Sequence, residues 1–303
     1  VKSFKGYLLI LGAALFWGVS ATIAKYLFNN QTSALVLVQL RMTISCLLLL
    51  SFFLLFKRNL LKVKLRDLYK FALLGIIGGA GSNFTYYYTI KETNVATAIL
   101  LQYLAPLIVL GYAAITKVEE LNFAKIIAGV VSLVGCFLAV GGEDFSLAHI
   151  SSIGLFTGLL SAGAWAFTNI WLRRLVPDYN VWTSLVYAFI FASLFWLFFN
   201  SPAQLIEAHY SSDTWLTFLG FAVISILIPH SLYFNGVQYL TASRAIITAT
   251  FEPVVAIVSA YLALSEGLTT IQVVGALLVV AAIAILQMKK ERTVSVEIPA
   301  GAE

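Results

Sequence analysis

Charge is scarce in this chain. Of its 303 residues, 11% are Asp, Glu, Lys or Arg and 60% are hydrophobic, with a mean hydropathy of +0.92. A soluble protein of this length needs a charged surface that such a composition cannot supply. Cysteine occurs twice, as Cys46 and Cys136, both inside long apolar runs. They read as small buried hydrophobes, and neither a disulfide nor a metal site is inferred. The sequence contains no HExxH, no G-x-S-x-G and no pair of intramembrane aspartates. The groups for hydrolysis within a bilayer are therefore missing, so the chain is not read as an enzyme and no cofactor is implied. Little chain remains between the apolar runs for a soluble output domain, which argues against a sensor or scaffold. The first apolar run continues past 15 residues with no small-residue cleavage site after it, unlike a cleaved signal peptide. The stretch from Thr293 to Glu303 is polar and short, and is expected to be disordered.

What the chain does have is long apolar stretches. Ten are long enough to cross a hydrocarbon core, which needs roughly 20 residues each. They are placed at 6–28, 33–56, 68–90, 95–116, 121–141, 150–172, 181–200, 213–237, 242–264 and 268–288. The expected fold class is all-α integral membrane, with ten transmembrane helices. Lys and Arg fix the orientation. With a cytoplasmic N-terminus, sixteen of the nineteen fall on inner segments. Lys25 and Lys91 alone fall on outer loops, and Arg41 lies within a span. That bias follows the positive-inside rule and places both termini in the cytoplasm. The expected location is the cell inner (cytoplasmic) membrane, multi-pass. The strongly basic loop from Lys57 to Arg66 reads as a topology determinant touching anionic lipid headgroups. Nothing folded presents that charge to a nucleic acid.

The chain is also written twice. A shift of 147 aligns Tyr86 with Tyr233, Ala98 with Ala245, Ile99 with Ile246, Pro106 with Pro253 and Glu119 with Glu266. A shift of 148 aligns Trp17 with Trp165 and Ser20 with Thr168. The units are 1–142, 150–288 and a cytoplasmic tail, 289–303, with the boundary at the turn Gly141, Gly142, Glu143 and Asp144. Each repeat holds five spans, so the second must enter the bilayer inverted. Secondary transporters recurrently use this plan, with the substrate near the midplane between the halves.

Intramembrane charge is costly, which singles out Arg41 and Glu252. At 1.5 Å per residue, Arg41 lies roughly 12 Å below the outer edge and Glu252 roughly 15 Å above the inner one. Two readings stand: an ion pair that locks the bundle, or two groups facing water in a central cavity. A buried carboxylate of raised pKa could carry a proton, so proton coupling through Glu252 stays open. The repeat partner of Glu252 is the uncharged Ala105. Asn83, Tyr86 and Tyr87 share one helical face, as do their partners His230, Tyr233 and Phe234. Trp17 with Ser20 and Trp165 with Thr168 are a second matched pair, extended by Asn169. Trp17 and Trp165 are too deep for an interfacial aromatic belt, whereas Tyr88 and Trp196 fit one. Gln102 and Tyr103 precede Pro106 by one turn. An aromatic-walled cavity with a few hydrogen-bonding groups suits a small, partly apolar solute; ordinary core packing is the plainer alternative. Candidate cavity residues are Trp17, Arg41, Asn83, Tyr86, Gln102, Tyr103, Trp165, Asn169, His230, Tyr233 and Glu252. Pro106 and Pro253 each remove a backbone donor inside a span and are candidate hinges. Glu119 and Glu266 read as helix-boundary residues that cap the helix following each. Gly75-x-x-x-Gly79, Gly154-x-x-x-Gly158 and the run Ala128, Ser132, Cys136 mark close helix approach. Packing within one bundle explains them, and they leave room for a homodimer.

Together these features resemble the EamA family of the drug/metabolite transporter superfamily over nearly the whole chain. The residues that carry the resemblance are Ala14-Leu15-Phe16-Trp17-Gly18, Arg41, Glu252-Pro253-Val254-Val255-Ala256, Leu264-Ser265-Glu266-Gly267-Leu268-Thr269 and Gln272-x-x-Gly275. The first copy carries a degenerate version, Ala105-Pro106-Leu107 with Glu119-x-Leu121. The resemblance implies an inner-membrane carrier exporting small metabolites, often amino acids, by alternating access. It also implies a cavity lined mainly by spans 1, 3, 4, 6, 8 and 9, with spans 5 and 10 packed at one side. A drug or toxic-compound exporter is the nearest rival. An organic-phosphate or nucleotide-sugar carrier would need several cavity cations, and Arg41 stands alone.

Overall fold

The structure, a computed structural model, describes residues 2–29, 34–93, 95–141, 151–199, 209–264 and 267–288. Gly142, Glu143, Asp144, Glu266 and the tail from 289 onward lie outside these residues. Every regular element among the described residues is helical. In chain order they are α1 (Lys2–Asn29), α2 (Ala34–Phe56), two 3-10 turns (Arg58–Leu61 and Leu65–Asp67), α3 (Leu68–Leu73), a π-helical stretch (Leu74–Gly81), α4 (Ser82–Glu92), α5 (Val95–Gln102), α6 (Ala105–Thr116) and α7 (Phe123–Gly141). Then come α8 (Ser152–Leu175), α9 (Val181–Trp196), α10 (Ser212–Ala222), a second π-helical stretch (Val223–Leu227), α11 (Ile228–Val237), α12 (Ala242–Ala249), α13 (Glu252–Leu264) and α14 (Thr270–Met288).

Eight of the helical stretches are long and apolar enough to cross a membrane. The outward surface is apolar as well: Phe52, Leu55, Phe56 and Leu262 are all exposed. Such an exterior belongs against lipid. The expected span 68–90 is helical but in three pieces, and the expected span 181–200 is represented by the 16-residue α9. The first departure has a local cause. The sequence LGIIGGAG contains four glycines, and the helix widens there to π geometry. At Gly75 a Cβ would lie 2.5 Å from the Ala188 carbonyl oxygen, so this stretch meets α9 backbone to backbone. The belt reading of Trp196 does not hold. Its side chain is fully buried, against Phe84, Phe195 and Phe199.

Two further contacts define the bundle. Helices α7 and α14 meet through Gly135 and Gly275, where a Cβ on Gly275 would fall 2.3 Å from the Ala139 nitrogen. The basic turn before α3 is fastened to residues of the second half. Thr183 Oγ1 donates to the Leu60 carbonyl at 2.6 Å, and Tyr187 Oη to the Leu61 carbonyl at 2.8 Å. Tyr179 Oη donates to Asp67 Oδ2 at 2.5 Å, and Lys70 Nζ lies 3.1 Å from Asp67 Oδ1. The Tyr179 hydroxyl, then Lys70, hold the Asp67 carboxyl below the ordinary carboxylate range. A depressed folded value means that this contact stabilises fully above the ordinary aspartate range. It is lost as pH falls through the folded value. Asp67→Asn is expected to loosen the turn at neutral pH, read as several-fold faster tryptic cleavage at Lys62, Lys64 or Arg66. Cleavage at the wild-type rate would show that the fastening resides in the carbonyl contacts alone.

Candidate functional site

A cavity of about 690 Å³ lies between the two halves of the chain. Its walls come from α1, α2, α4, α5, α8, α11 and α13, with the start of α14 at its rim. Of the lining residues, Ala139 and Val140 close α7 while Gly267, Leu268 and Gln272 stand where α14 begins, so these five share one end of the bundle. That end is opposite the turns carrying Lys57, Arg66, Lys117 and Arg174. No described residue of those basic turns lines the cavity. The cavity therefore reaches one end and stops short of the other.

Local sequence explains how the wall is built. Pro106 has no N–H, and the backbone around it shortens to three-residue bonds, Leu104 N to Leu101 O at 3.2 Å and Leu107 N to Leu104 O at 3.0 Å. Before Pro253 the same happens: Thr250 N bonds Ile247 O and Phe251 N bonds Thr248 O, each at 3.2 Å. These two breaks, at 103–104 and 250–251, are related by the shift of 147. Gln102, Tyr103 and Glu252 stand at the breaks and line the cavity, as does Pro253; Pro106 is buried away from it. Gly18 fixes the height of Glu252. A Cβ there would lie 2.6 Å from Val255 Cβ and 2.8 Å from the Glu252 carbonyl oxygen, so only glycine lets α1 lie this close to α13.

The floor is aromatic. The Trp17 ring meets Trp165 at 5.8 Å and His230 at 5.3 Å, both edge-on, and Tyr233 at 5.3 Å. Trp17, Trp165 and His230 face the cavity, with His230 Nδ1 3.0 Å from the Ile226 carbonyl oxygen. Tyr233 and Asn169 do not. Both are fully buried, the Tyr233 hydroxyl donating to Asn169 Oδ1 while Asn169 Nδ2 donates to the Trp165 carbonyl at 2.8 Å. Asn169 is one helical turn beyond Trp165, toward the basic end, so the pair braces the floor from behind.

The polar wall comprises Arg41, Asn83, Tyr86, Gln102, Tyr103 and Glu252. Arg41 Nη2 donates to Asn83 Oδ1 at 2.8 Å, and the guanidinium lies 5.7 Å from the Tyr87 ring and 6.0 Å from the Phe221 ring. The Nε of Arg41 is buried without a hydrogen-bond partner. Glu252 faces the phenol of Tyr103. Among the described residues no ion pair joins Arg41 to Glu252, so the locking-pair reading gives way to two separate groups on one cavity. Gln102 Nε2 donates to Ser161 Oγ at 2.8 Å and to Ser82 Oγ at 3.3 Å, tying α5 to α8 and α4.

Glu119 lies at the basic end, and its role differs from the one its sequence position suggests. The helix following it, α7, is capped by Asn122, whose Oδ1 accepts from Lys125 N at 3.0 Å. Glu119 crosses instead to the other half and caps α12. Its carboxylate accepts from Ser243 N at 3.3 Å and from Ser243 Oγ at 2.5 Å, and Lys125 Nζ lies 3.5 Å away. A helix N-terminus carries unsatisfied N–H groups and positive potential, both met by a carboxylate. Sequence reasoning missed this cluster, as it missed Ser82, Ser161 and the π-helical stretches. The duplicated Glu119 was its only signal.

The profile of the EamA-like transporter family matches residues 4–141 and again 152–288. The chain belongs to the EamA-like transporter family. It is similar to an uncharacterized inner membrane transporter, YicL, of Salmonella typhimurium, at 27% identity over 95% of this chain and 97% of that one. It also resembles the threonine/homoserine exporter RhtA of Escherichia coli, at 25% identity over 89% of this chain and 88% of that one. A solved crystal structure shares the fold with a TM-score of 0.75 at 16% identity, covering 95% of this chain and 98% of that one. This EamA-like chain is thus a multi-pass membrane protein of a transporter family.

Proposed function

We propose that this EamA-like protein is a secondary transporter that exports small organic metabolites, amino acids or related compounds foremost, across the cytoplasmic membrane. The reading takes the chain as ten spans in two inverted five-helix repeats, 1–142 and 150–288, with a cytoplasmic tail. The observation that carries it is the cavity that both halves wall, reaching one end of the bundle and stopping short of the other. With the basic turns cytoplasmic, that is an outward-open state. The π-helical stretches at 74–81 and 223–227 and the breaks at 103–104 and 250–251 recur at the repeat spacing, which supports two equivalent moving halves. The threonine/homoserine specificity named for the Escherichia coli relative supports amino acids as cargo. A drug exporter is the second reading, favoured by the apolar, tryptophan-rich floor.

Counterflow in proteoliposomes, with labelled amino acids and a lipophilic organic cation as the two cargo arms, tests it; a pH gradient in half the samples reports proton coupling. Trp165→Ala and Glu252→Gln are expected to insert normally and to lower exchange by about tenfold or more, equivalent to roughly 1.4 kcal/mol of lost interaction. Exchange unchanged in both purified variants would remove these residues from the pathway.

A further inference from the structure

Arg41 and Glu252 are the only Lys, Arg, Asp or Glu side chains among the described residues that line the cavity. Each comes from a different half of the chain, and they are not paired with each other. An isolated charge at this depth is costly unless something of opposite sign meets it. In most bundles the two would have been brought together, yet here Arg41 turns to the neutral Asn83, and Glu252 to the neutral Tyr103. The Arg41 guanidinium retains donor capacity: it carries five N–H groups, and one of them, on Nη2, goes to Asn83. A planar fork with spare donors matches a carboxylate. The carboxylate of Glu252 accepts, and beside it the Tyr103 hydroxyl and the aromatic floor suit an ammonium group.

We infer that the cavity is a two-pole site for zwitterions, with Arg41 and Asn83 taking the substrate carboxylate and Glu252 and Tyr103 its ammonium group. This rests on the transport reading above and sharpens it. A solute carrying both charges compensates both poles at once. One lacking either leaves a pole uncompensated, and discrimination comes mainly from that penalty. The site thus selects the charged ends of its cargo, while the aromatic floor accommodates varied side chains.

The test is binding to the purified protein in nanodiscs, followed by calorimetry and by intrinsic tryptophan fluorescence, to which Trp17 and Trp165 in the cavity contribute. The probes are L-threonine, L-leucine and L-phenylalanine, each beside its N-acetyl derivative and its amide. At least one free amino acid is expected to bind, and to lose about tenfold or more in affinity on either modification. In Arg41→Gln the amino acid and its amide should bind alike, while discrimination against the N-acetyl form persists. In Glu252→Gln the reverse should hold. Arg41→Lys keeps the charge without the fork, so it should bind more weakly but still prefer the free carboxylate, which a merely collapsed site would not. Equal binding of parent and derivatives, loss of both preferences in each single variant, or no binding by any of the three amino acids would each overturn the two-pole site. Counterflow of a singly charged solute alongside any of those outcomes would leave the transport reading standing, whereas absence of counterflow by every solute would remove that reading itself.

Discussion

Glu119→Ala should cost more stability than any substitution in the cavity, and should free the closed end of the bundle. Lys125 is 1% exposed, so a cation is buried 3.5 Å from this carboxylate. Removing it takes the carboxylate away from the buried Lys125 ammonium, 3.5 Å distant, and strips the cap from α12. Breaking a buried pair by deleting one member costs about 3–5 kcal/mol, chiefly through the stranded charge. Such a loss is a large part of the roughly 5–15 kcal/mol that holds a typical fold together. The expected readout is a strongly lowered melting temperature in detergent. The double variant Glu119→Ala with Lys125→Met removes both members of the buried pair and should regain much of that loss. It does not restore the tie between Glu119 and Ser243. A cysteine placed at Thr241 should therefore react faster with a soluble maleimide in the double variant than in an otherwise wild-type background. Equal reactivity would make the cluster a stabiliser with no part in keeping that end shut.

Gly275→Val is the second large effect expected. A Cβ at this position meets the Ala139 nitrogen at 2.3 Å, the Gly135 oxygen at 2.6 Å and the Leu138 carbonyl carbon at 2.8 Å. All three are backbone atoms of α7, so no side-chain rotation relieves the clash, and α14 must move away along its whole face. Overpacking of a tight core commonly costs about 1–3 kcal/mol, and a collision with backbone belongs at or beyond the upper end. Without a hydrophobic effect to drive helices together in lipid, close backbone packing has little to replace it. Size-exclusion profiles should show aggregation or loss of the monodisperse peak. Gly220→Val, where a Cβ meets nothing within 4 Å, is the control expected to behave as wild type. A well-behaved Gly275→Val protein would mean that α7 and α14 do not pack as described.

The two proline breaks were legible because proline has one unambiguous effect on a helix, and the duplication identified which prolines mattered. Trp17, Trp165, His230 and Glu252 were legible as cavity residues because polar or amphipathic groups deep in an apolar run have few other uses. Asn169 and Tyr233 satisfied the same rule, yet they found each other behind the floor. A hydrogen bond between partners 64 residues apart leaves no trace in periodicity. The π-helical stretches were not legible for a related reason. Their sequences are apolar like those of an ordinary helix, and only the first, at 74–81, has glycines that α9 and α8 approach closely. For Gly78 the contact is Thr168, whose Oγ1 would lie 2.5 Å from an added Cβ. Glu119 was legible as a boundary residue but reads as a cap for the helix that follows it, since local spacing cannot reveal a partner in the opposite half.

The fastened turn before α3 bears on how such a bundle can move. Thr183, Tyr187 and Tyr179 grip it from the second half, two of them by donating side-chain hydroxyls to its main-chain carbonyls. If the halves tilt against one another, this corner stays nearly still and serves as the fulcrum. Displacement then grows with distance from it, as in a door that swings widest at the edge farthest from its hinge pin.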